Sequence, residues 1–229
     1  MIPKIVHYCW FGKNKKPKDV ENNIKKWKKM LPDYEFVEWN EKNFDVNYNI
    51  YTKEAYDKKK YAFVSDVARL YALVKFGGVY LDTDIDIKKK LDFILERNEC
   101  VFGYENGGSH LMTAFIAATK DNKNIEKILN SYDNERFIMA SGELNLYPNT
   151  YRITSILKED GAKLDGKFEK FNGITIFPEE YFSAMEFSTL KEISTNNTYT
   201  VHRFSSSWKP WYVRVRRKIK IKIISLIRR

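Results

Sequence analysis

Two aspartates separated by one residue, Asp82 and Asp84, are the residues of this chain best suited to chemistry. They follow the apolar segment 79–81, and on extended backbone side chains two residues apart point in the same direction. Two carboxylates this close repel each other unless a cation neutralises them, and hard oxygen ligands favour Mg²⁺ or Mn²⁺. The sequence therefore predicts a divalent-metal site, with a solvated acidic turn as the alternative.

A second group of chemically useful residues lies in the segment 51–76, where the pattern predicts a helix. Apolar residues recur there at intervals of three and four, before Gly77 and Gly78 end the helix. Asp66 and Arg69 are three residues apart and share one face of this helix. Two interpretations stay open: a structural ion pair, or a carboxylate and a guanidinium that together bind vicinal hydroxyls of a sugar.

The rest of the chain predicts the α/β framework that must hold these residues. With 229 residues, 43% of them hydrophobic, the chain suffices for one sizeable core, and helical and strand patterns follow each other in a mixed order without repeats. The acidic pair follows a buried strand, and open α/β sheets bind ligands at the carboxyl ends of their strands. We predict strands at residues 2–10, 34–39, 79–81, 99–104, 111–118, 174–177 and 198–204, and helices at 19–31, 51–76, 124–132 and 151–159.

The net charge of +10 belongs to the C-terminal end of the chain. Residues 208–229 carry nine cations and no acid, which leaves 31 basic and 30 acidic residues elsewhere. A protein that holds DNA along its fold carries its cations there, so we expect no nucleic-acid partner. Two cysteines cannot form the disulfide framework of a small secreted domain, and we expect a cytoplasmic protein.

The same C-terminal end predicts contact with a membrane surface. Residues 212–229 combine an apolar stripe at helical spacing with flanking Lys and Arg, a pattern typical of helices that lie on anionic bilayers. A strand and a helix packed on protein are the alternatives. We divide the chain into a domain of residues 1–211 and a basic amphipathic tail of residues 212–229, with peripheral attachment to the inner face of the cell membrane.

Four ordered blocks in the first hundred residues match a known family of enzymes. They are IPKIVHYCW at residues 2–10, the strand-like segment 34–40, Ser-Asp-x-x-Arg at 65–69 and GGVYLDTD at 77–84. Together they resemble the DXD-containing glycosyltransferases of family 32, which groups yeast initiating α-1,6-mannosyltransferases with bacterial capsule and lipopolysaccharide enzymes. The sugar-transferring domain of the large clostridial toxins is similar. The middle third of the chain has no counterpart in this match.

The resemblance implies a GT-A-type nucleotide-sugar-binding fold with a mixed, mostly parallel central sheet flanked by helices. It places Trp10 against the base of the donor, where stacking on an aromatic ring is worth about 1 to 3 kcal/mol, and core packing of this tryptophan is the alternative. Val6 and Tyr80 stand inside the matching blocks and are expected at the nucleotide-sugar as well.

The resemblance also assigns the chemistry to particular residues. Ser65, Asp66 and Arg69 are expected to hold the donor sugar. Asp82 and Asp84 are expected to contact ribose and metal. The catalytic set that we expect consists of Asp66, Arg69, Asp82 and Asp84.

The segment 202–211 resembles C-terminal blocks of retaining GT-A enzymes, in which a histidine precedes Lys-Pro-Trp or Ser-x-Trp. A lone histidine beside an apolar strand is commonly a core residue, yet the neutral imidazole of His202 can complete the shell of Mn²⁺ beside two carboxylates. Ser206, Trp208 and Lys209 are then expected at the nucleotide-sugar, where an indole N–H and an ammonium suit a diphosphate. The spacing does not decide between Ser206 and the serine after it.

From these patterns we expect a retaining, metal-dependent glycosyltransferase. It moves a hexose from a nucleotide diphosphate sugar to a surface polysaccharide or a lipid-linked oligosaccharide. A UDP-sugar is favoured as the donor, with GDP-mannose as the alternative. Its cofactor is Mn²⁺ or Mg²⁺, held by Asp82, Asp84 and His202. Two alternatives stay open: a nucleotidyl- or phosphotransferase that uses the same acids, and a non-enzymatic module tethered to a membrane or to nucleic acid.

Overall fold

The computed structural model describes residues 1–205, in which seven helices and ten strands follow each other. The strands are β1 (Ile5–Cys9), β2 (Glu35–Trp39), β3 (Gly78–Leu81), β4 (Ile85–Ile87), β5 (Cys100–Glu105), β6 (His110–Leu111), β7 (Phe115–Ala118), β8 (Glu169–Phe171), β9 (Ile174–Phe177) and β10 (Thr200–His202). The helices are α1 (Lys18–Met30), α2 (Ile50–Asp57), α3 (Tyr61–Phe76), α4 (Asp92–Glu96), α5 (Lys123–Asn130), α6 (Asn149–Glu159) and α7 (Glu179–Phe182).

The central sheet is mixed and has the strand order β2-β1-β3-β7-β5-β9-β8, with β6 paired to β5 beside this path. Strands β1, β2, β3, β5 and β9 run in one direction, whereas β7 and β8 run against them. The expected mixed, mostly parallel sheet is therefore present. A small second sheet pairs β4 with β10.

Two apolar layers cover the two faces of the central sheet. Helices α2, α3, α5 and α6 pack on one face, and α1, α4 and α7 pack on the other. Side chains alternate between the faces along a strand, so in β3 Tyr80 points into the first layer while Val79 and Leu81 point into the second. The residue after Leu81 consequently continues on the α3 side of the sheet.

Two expected elements are divided in the structure. The helix expected over residues 51–76 breaks between Asp57 and Tyr61, where Lys59 has a φ of 56° and ends the first helix. The strand expected over residues 111–118 is split into β6 and β7. In the gap between those strands the carbonyl of Thr113 accepts a hydrogen bond from the side chain of Arg69, and the carbonyl of Ala114 accepts one from the backbone N–H of Asp82, which extends the pairing of β3 with β7 by one residue.

The C-terminal segment 206–229 lies outside the described residues. It contains Ser206, Trp208, Lys209 and the basic segment 212–229, so the expectations for them, the division at residue 211 included, stay predictions. Within residues 1–205, no helix combines the length and the apolar composition that crossing a bilayer requires.

Gly78 at the start of β3 is expected to tolerate no side chain. Its φ is 103°, and a Cβ there would lie 2.5 Å from the carbonyl oxygen of Ile5 in the neighbouring strand β1. We expect Gly78→Ala to lower the free energy of unfolding, measured by urea denaturation, by about 1 to 3 kcal/mol. Gly142→Ala is the matched control, because Gly142 also has a positive φ but has no atom within 4 Å of its Cβ position. Equal losses in the two variants would show that the close approach of β1 and β3 contributes nothing.

Candidate active site

The acidic pair lies in a tight turn at the carboxyl end of β3. The backbone N–H of Asp82 donates to the carbonyl of Ala114 at 2.9 Å, and the N–H of Ile85 donates to the carbonyl of Asp82 at 3.0 Å. The chain therefore reverses within residues 82–84 before β4 begins. Both aspartates remain at the edge of the sheet where parallel strands end, as the sequence pattern predicts.

Side chains of helix α1 hold this turn in place by hydrogen bonds. The side-chain amide of Asn23 donates to the carbonyls of Thr83 at 3.0 Å and of Ile85 at 2.6 Å, and the indole N–H of the fully buried Trp27 donates to Ile85 at 2.7 Å. These bonds satisfy carbonyls that have no strand partner at the turn. The backbone that carries the carboxylates is thus fixed before any ligand binds.

Asp82 is held by one of its two carboxylate oxygens. The hydroxyl of Tyr80 donates to Oδ1 at 2.7 Å, and the Nη2 atom of Arg69 lies 3.5 Å from the same oxygen. The side chain keeps 31% of its surface exposed. Asp82 therefore has a fixed orientation and remains accessible to a ligand.

Asp84 is more enclosed and faces the end of the described chain. Its Oδ2 accepts hydrogen bonds from the backbone N–H of Ser205 at 2.7 Å and from the Ser205 hydroxyl at 3.0 Å, and its Oδ1 lies 3.5 Å from Nε2 of His202. Burial opposes the charged form, but His202 and these hydrogen bonds outweigh it and lower the pKa of Asp84 to about 2. The carboxylate is ionised at neutral pH.

His202 reaches the site because β10 pairs antiparallel with β4, which sets His202 opposite Ile85. Burial opposes protonation of its ring, but the carboxylates of Asp84 and Glu105 raise the pKa of His202 to about 10. In the absence of an ion, a proton on this imidazole therefore balances part of the negative charge. A metal ion would take the place of the proton on Nε2.

Asp82, Asp84 and His202 offer three donor atoms that all lie within 4.8 Å of one another. Ligands at about 2.1 Å from an ion such as Mg²⁺ lie at most about 4.2 Å apart, so a small closure would bring all three into one coordination sphere. Two carboxylates and an imidazole suit Mn²⁺ or Mg²⁺. The structure thus brings together the residues that the sequence analysis assigned to a metal.

Arg69 from α3 lies beside Asp82, with its Nη2 atom 3.5 Å from Oδ1. Only 6% of its side chain is exposed. Its Nη1 donates to the carbonyl of Thr113 at 2.7 Å, its Nε donates to the carbonyl of Ser65 at 3.2 Å, and its guanidinium carbon lies 4.5 Å from the ring centre of Tyr80. A planar group with donors in several directions is needed to make these contacts together.

Asp66 and Arg69 form the i,i+3 ion pair that the helix spacing allows, with Nη2 2.9 Å from Oδ1. The same oxygen accepts a hydrogen bond from the amide of Asn149 at 3.3 Å. Burial raises the pKa of Asp66 to about 6, although the charge of Arg69 acts in the opposite direction. Because Arg69 also reaches Asp82, the ion pair borders the acidic turn, and its role at a donor sugar stays a prediction.

The other residues expected to contact the nucleotide-sugar differ in their burial and hydrogen bonding. Trp10 is partly buried against the core, and its indole N–H donates to the carbonyl of Asn14 at 2.7 Å. The hydroxyl of Ser65 donates to the carbonyl of Tyr61 within α3. The side chain of Val6 is completely buried in β1, so its backbone alone is left for the expected nucleotide contact, which stays a prediction.

Three residues at the site were not assigned from the sequence. Glu105 ends β5 and lies 3.5 Å from Nδ1 of His202, and Asn149 begins α6 and contacts Asp66. Ser205, the last described residue, donates its hydroxyl to Asp84. The rule about carboxyl ends of strands applies to Glu105 as it does to Asp82 and could have found it, whereas no local signal identifies Asn149.

Part of the chain is similar to a known family of sequences. Residues 17–101 match the profile described as a glycosyltransferase sugar-binding region containing a DXD motif. That span contains Asp66, Arg69, Asp82 and Asp84, and it ends before the elements that supply Glu105 and His202.

Two curated relatives come from Schizosaccharomyces pombe (strain 972 / ATCC 24843). Inositol phosphoceramide mannosyltransferase 3 is 33% identical over 99 residues, which cover 41% of this chain and 27% of the relative. Inositol phosphoceramide mannosyltransferase 1 is 29% identical over 123 residues, which cover 46% of this chain and 37% of the relative. The match thus spans between about a quarter and two fifths of the length of these relatives.

Solved structures of low sequence identity share the fold. The PaToxG glycosyltransferase has a TM-score of 0.51 and 20% identity, with 72% of each chain covered. A glycosyltransferase involved in the glycosylation of the major capsid of PBCV-1 has a TM-score of 0.51 and 13% identity, with 96% of this chain and 100% of that chain covered. Together with the mixed sheet and its flanking helices, these likenesses confirm the expected α/β fold of the GT-A type.

Proposed function

We propose that the protein is a metal-dependent glycosyltransferase, because residues 17–101 match the profile of glycosyltransferase sugar-binding regions that contain a DXD motif. It transfers a hexose from a nucleotide diphosphate sugar to a hydroxyl of a glycan or lipid-linked glycan, with retention of configuration. The observation that carries the proposal is the convergence of Asp82, Asp84 and His202 at the carboxyl end of β3, beside the buried pair Asp66 and Arg69.

The proposed metal is Mn²⁺ or Mg²⁺, whose charge, when the ion is bound, stabilises the departing nucleoside diphosphate. Asp82, Asp84 and His202 hold it. The turn that carries the aspartates is preformed by Asn23 and Trp27, so the ligands need little reorganisation. Asp84 stays ionised because its pKa is about 2.

The donor sugar is proposed to lie against Asp66 and Arg69. A carboxylate that only accepts and a guanidinium that only donates can bind two neighbouring hydroxyls in one orientation. The contacts of Arg69 with two backbone carbonyls keep this fork in place. Trp10, Trp208 and Lys209 remain proposed contacts of the base and the diphosphate, the latter two outside the described residues.

The direct test incubates the purified protein and Mn²⁺ with UDP-sugars and GDP-sugars. GDP-mannose is included because two relatives are named mannosyltransferases. We expect slow release of nucleoside diphosphate from one donor without added acceptor, and loss of this release in EDTA. Release of pyrophosphate or nucleoside monophosphate instead would indicate nucleotidyl transfer, and release that persists in EDTA would contradict the metal site.

Donor binding is expected to weaken as the pH falls through about 6. Burial raises the pKa of Asp66 to about 6, so the carboxylate that accepts hydrogen bonds from the sugar is present above this pH and is protonated below it. If binding needs the ionised form, affinity for the donor should fall about tenfold per pH unit below 6. Calorimetric titration with the donor from pH 5 to 7.5 measures this. Asp66→Asn is the control, and an equally steep fall in that variant would place the titrating group elsewhere.

The place of action is part of the same proposal. Attachment of the basic segment 212–229 to an anionic face of the cell membrane would bring the enzyme to lipid-linked acceptors. Sedimentation with phosphatidylglycerol vesicles, for the full chain and for a chain ending at Trp211, tests this. Equal sedimentation of both chains would refute it.

A further inference from the structure

The imidazole of His202 lies between two carboxylates, one at each ring nitrogen. Nε2 lies 3.5 Å from Oδ1 of Asp84, and Nδ1 lies 3.5 Å from Oε2 of Glu105. Both His202 and Glu105 are largely buried, with 13% and 14% of their side chains exposed. Nδ1 itself is buried and has no hydrogen-bond partner among the described residues. Nδ1 thus faces the carboxylate of Glu105 at a distance slightly too long for a hydrogen bond.

Glu105 is held by the central sheet and does not depend on a loop for its position. It is the last residue of β5, which pairs with β9 and β7 and also with β6, where His110 stands opposite Glu105. A carboxylate enclosed to this degree is costly unless a cation or a donor faces it. The ring of His202 on β10 is such a group, and its centre lies 4.0 Å from the ring centre of Phe204.

We propose that Glu105 positions His202 for metal binding, by accepting a hydrogen bond from Nδ1–H while Nε2 coordinates the ion. A histidine ligates through a neutral nitrogen, so the proton must sit on the other one, and a carboxylate there fixes both the tautomer and the rotation of the ring. It also makes the ligating nitrogen more basic. Glu105 is therefore a positioning residue and not a metal ligand. The inference rests on the metal site of the proposed function.

The first test compares Mn²⁺ affinity, measured by electron paramagnetic resonance, in variants of the full chain. Loss of a carboxylate behind a ligating histidine typically weakens metal binding by about 10 to 100-fold, which we expect for Glu105→Ala. Glu105→Gln keeps a neutral acceptor of the same shape and should recover part of the affinity. Glu179→Gln is the matched control, because Glu179 accepts a hydrogen bond from Gly107 just after β5 and should leave affinity unchanged.

The Mn²⁺ affinities distinguish a failure of the Glu105 inference from a failure of the proposed function. Mn²⁺ affinity in Glu105→Ala equal to that of the unaltered protein would overturn the inference even if metal-dependent donor hydrolysis is present. Equal Mn²⁺ binding by the unaltered protein and by His202→Gln would show that His202 is not a metal ligand, and the inference would then fail as well. Thermal unfolding of each variant distinguishes a loss of affinity from a loss of fold.

Nuclear magnetic resonance of the histidine rings provides a readout that a purely structural role would not change. The chain has only three histidines, and His7 is an internal reference because its Nδ1 accepts from Trp39 while its Nε2 donates to Gly77. With Zn²⁺ as a diamagnetic probe, we expect a His202 Nδ1–H signal that is protected from solvent exchange. This protection should be lost in Glu105→Ala, and its persistence there would contradict the proposal.

Discussion

Replacing Asp84 by asparagine is expected to lower kcat/KM for metal-dependent donor hydrolysis by at least about 100-fold. Removal of one group that stabilises developing charge typically costs about 100 to 1,000-fold, and the neutral amide also weakens the metal site. The fold should persist, because the amide oxygen can still accept the hydrogen bonds that Ser205 donates to Asp84. Steady-state release of nucleoside diphosphate over a range of Mn²⁺ concentrations measures both effects.

Asp86→Asn is the matched control for this prediction. Asp86 belongs to the same acidic cluster in the sequence, two residues farther along, but its carboxylate pairs with Arg203 and with Lys88. We expect this variant to keep its activity within a few-fold of the unaltered protein. If the two variants lose activity equally, the cluster acts only through its total charge, and the specific metal site at Asp84 is wrong.

Replacing Arg69 by alanine is expected to lower the free energy of unfolding by about 3 to 5 kcal/mol. The substitution leaves the enclosed carboxylate of Asp66 without its cation and leaves the carbonyls of Ser65 and Thr113 without their donor. Breaking a buried ion pair from one side is costly because a buried charge remains uncompensated. Urea denaturation at pH 7.5, where Asp66 is ionised, measures the loss.

Further variants identify the source of this loss. Asp66→Asn combined with Arg69→Ala should be less destabilised than the sum of the single variants, because no uncompensated charge remains. Arg69→Lys keeps the charge but not the planar fork, so we expect it to fold and to bind the donor poorly. Lys53→Ala, at an exposed pair with Asp57, should cost no more than about 0.5 kcal/mol. A loss in Arg69→Ala as small as that would mean that the pair contributes no more than a surface contact.

Much of the site could be predicted from short stretches of sequence. The periodicity of α3, its end at Gly77 and Gly78, and the acids after a buried strand all follow from local backbone and side-chain preferences. The breaks in the expected helix 51–76 and in the expected strand 111–118 could not be predicted in the same way. Residues 111–118 have the composition of one strand, yet the regular strand is interrupted between Leu111 and Phe115, where the carbonyl of Thr113 accepts a hydrogen bond from Arg69, 44 positions away in the chain.

Short-range patterns are enough to predict which groups stand at the end of β3 and which face of α3 carries Asp66 and Arg69. The groups that contact them come from distant segments and follow from the packing of the whole fold. Ser205 contacts Asp84 across 121 positions of the chain, and His202 arrives through the pairing of β10 with β4. A pattern of neighbouring residues specifies the period of a helix or strand, whereas a contact between distant segments depends on how all the intervening elements pack. Such contacts determine that two aspartates, a histidine and Glu105 share one site.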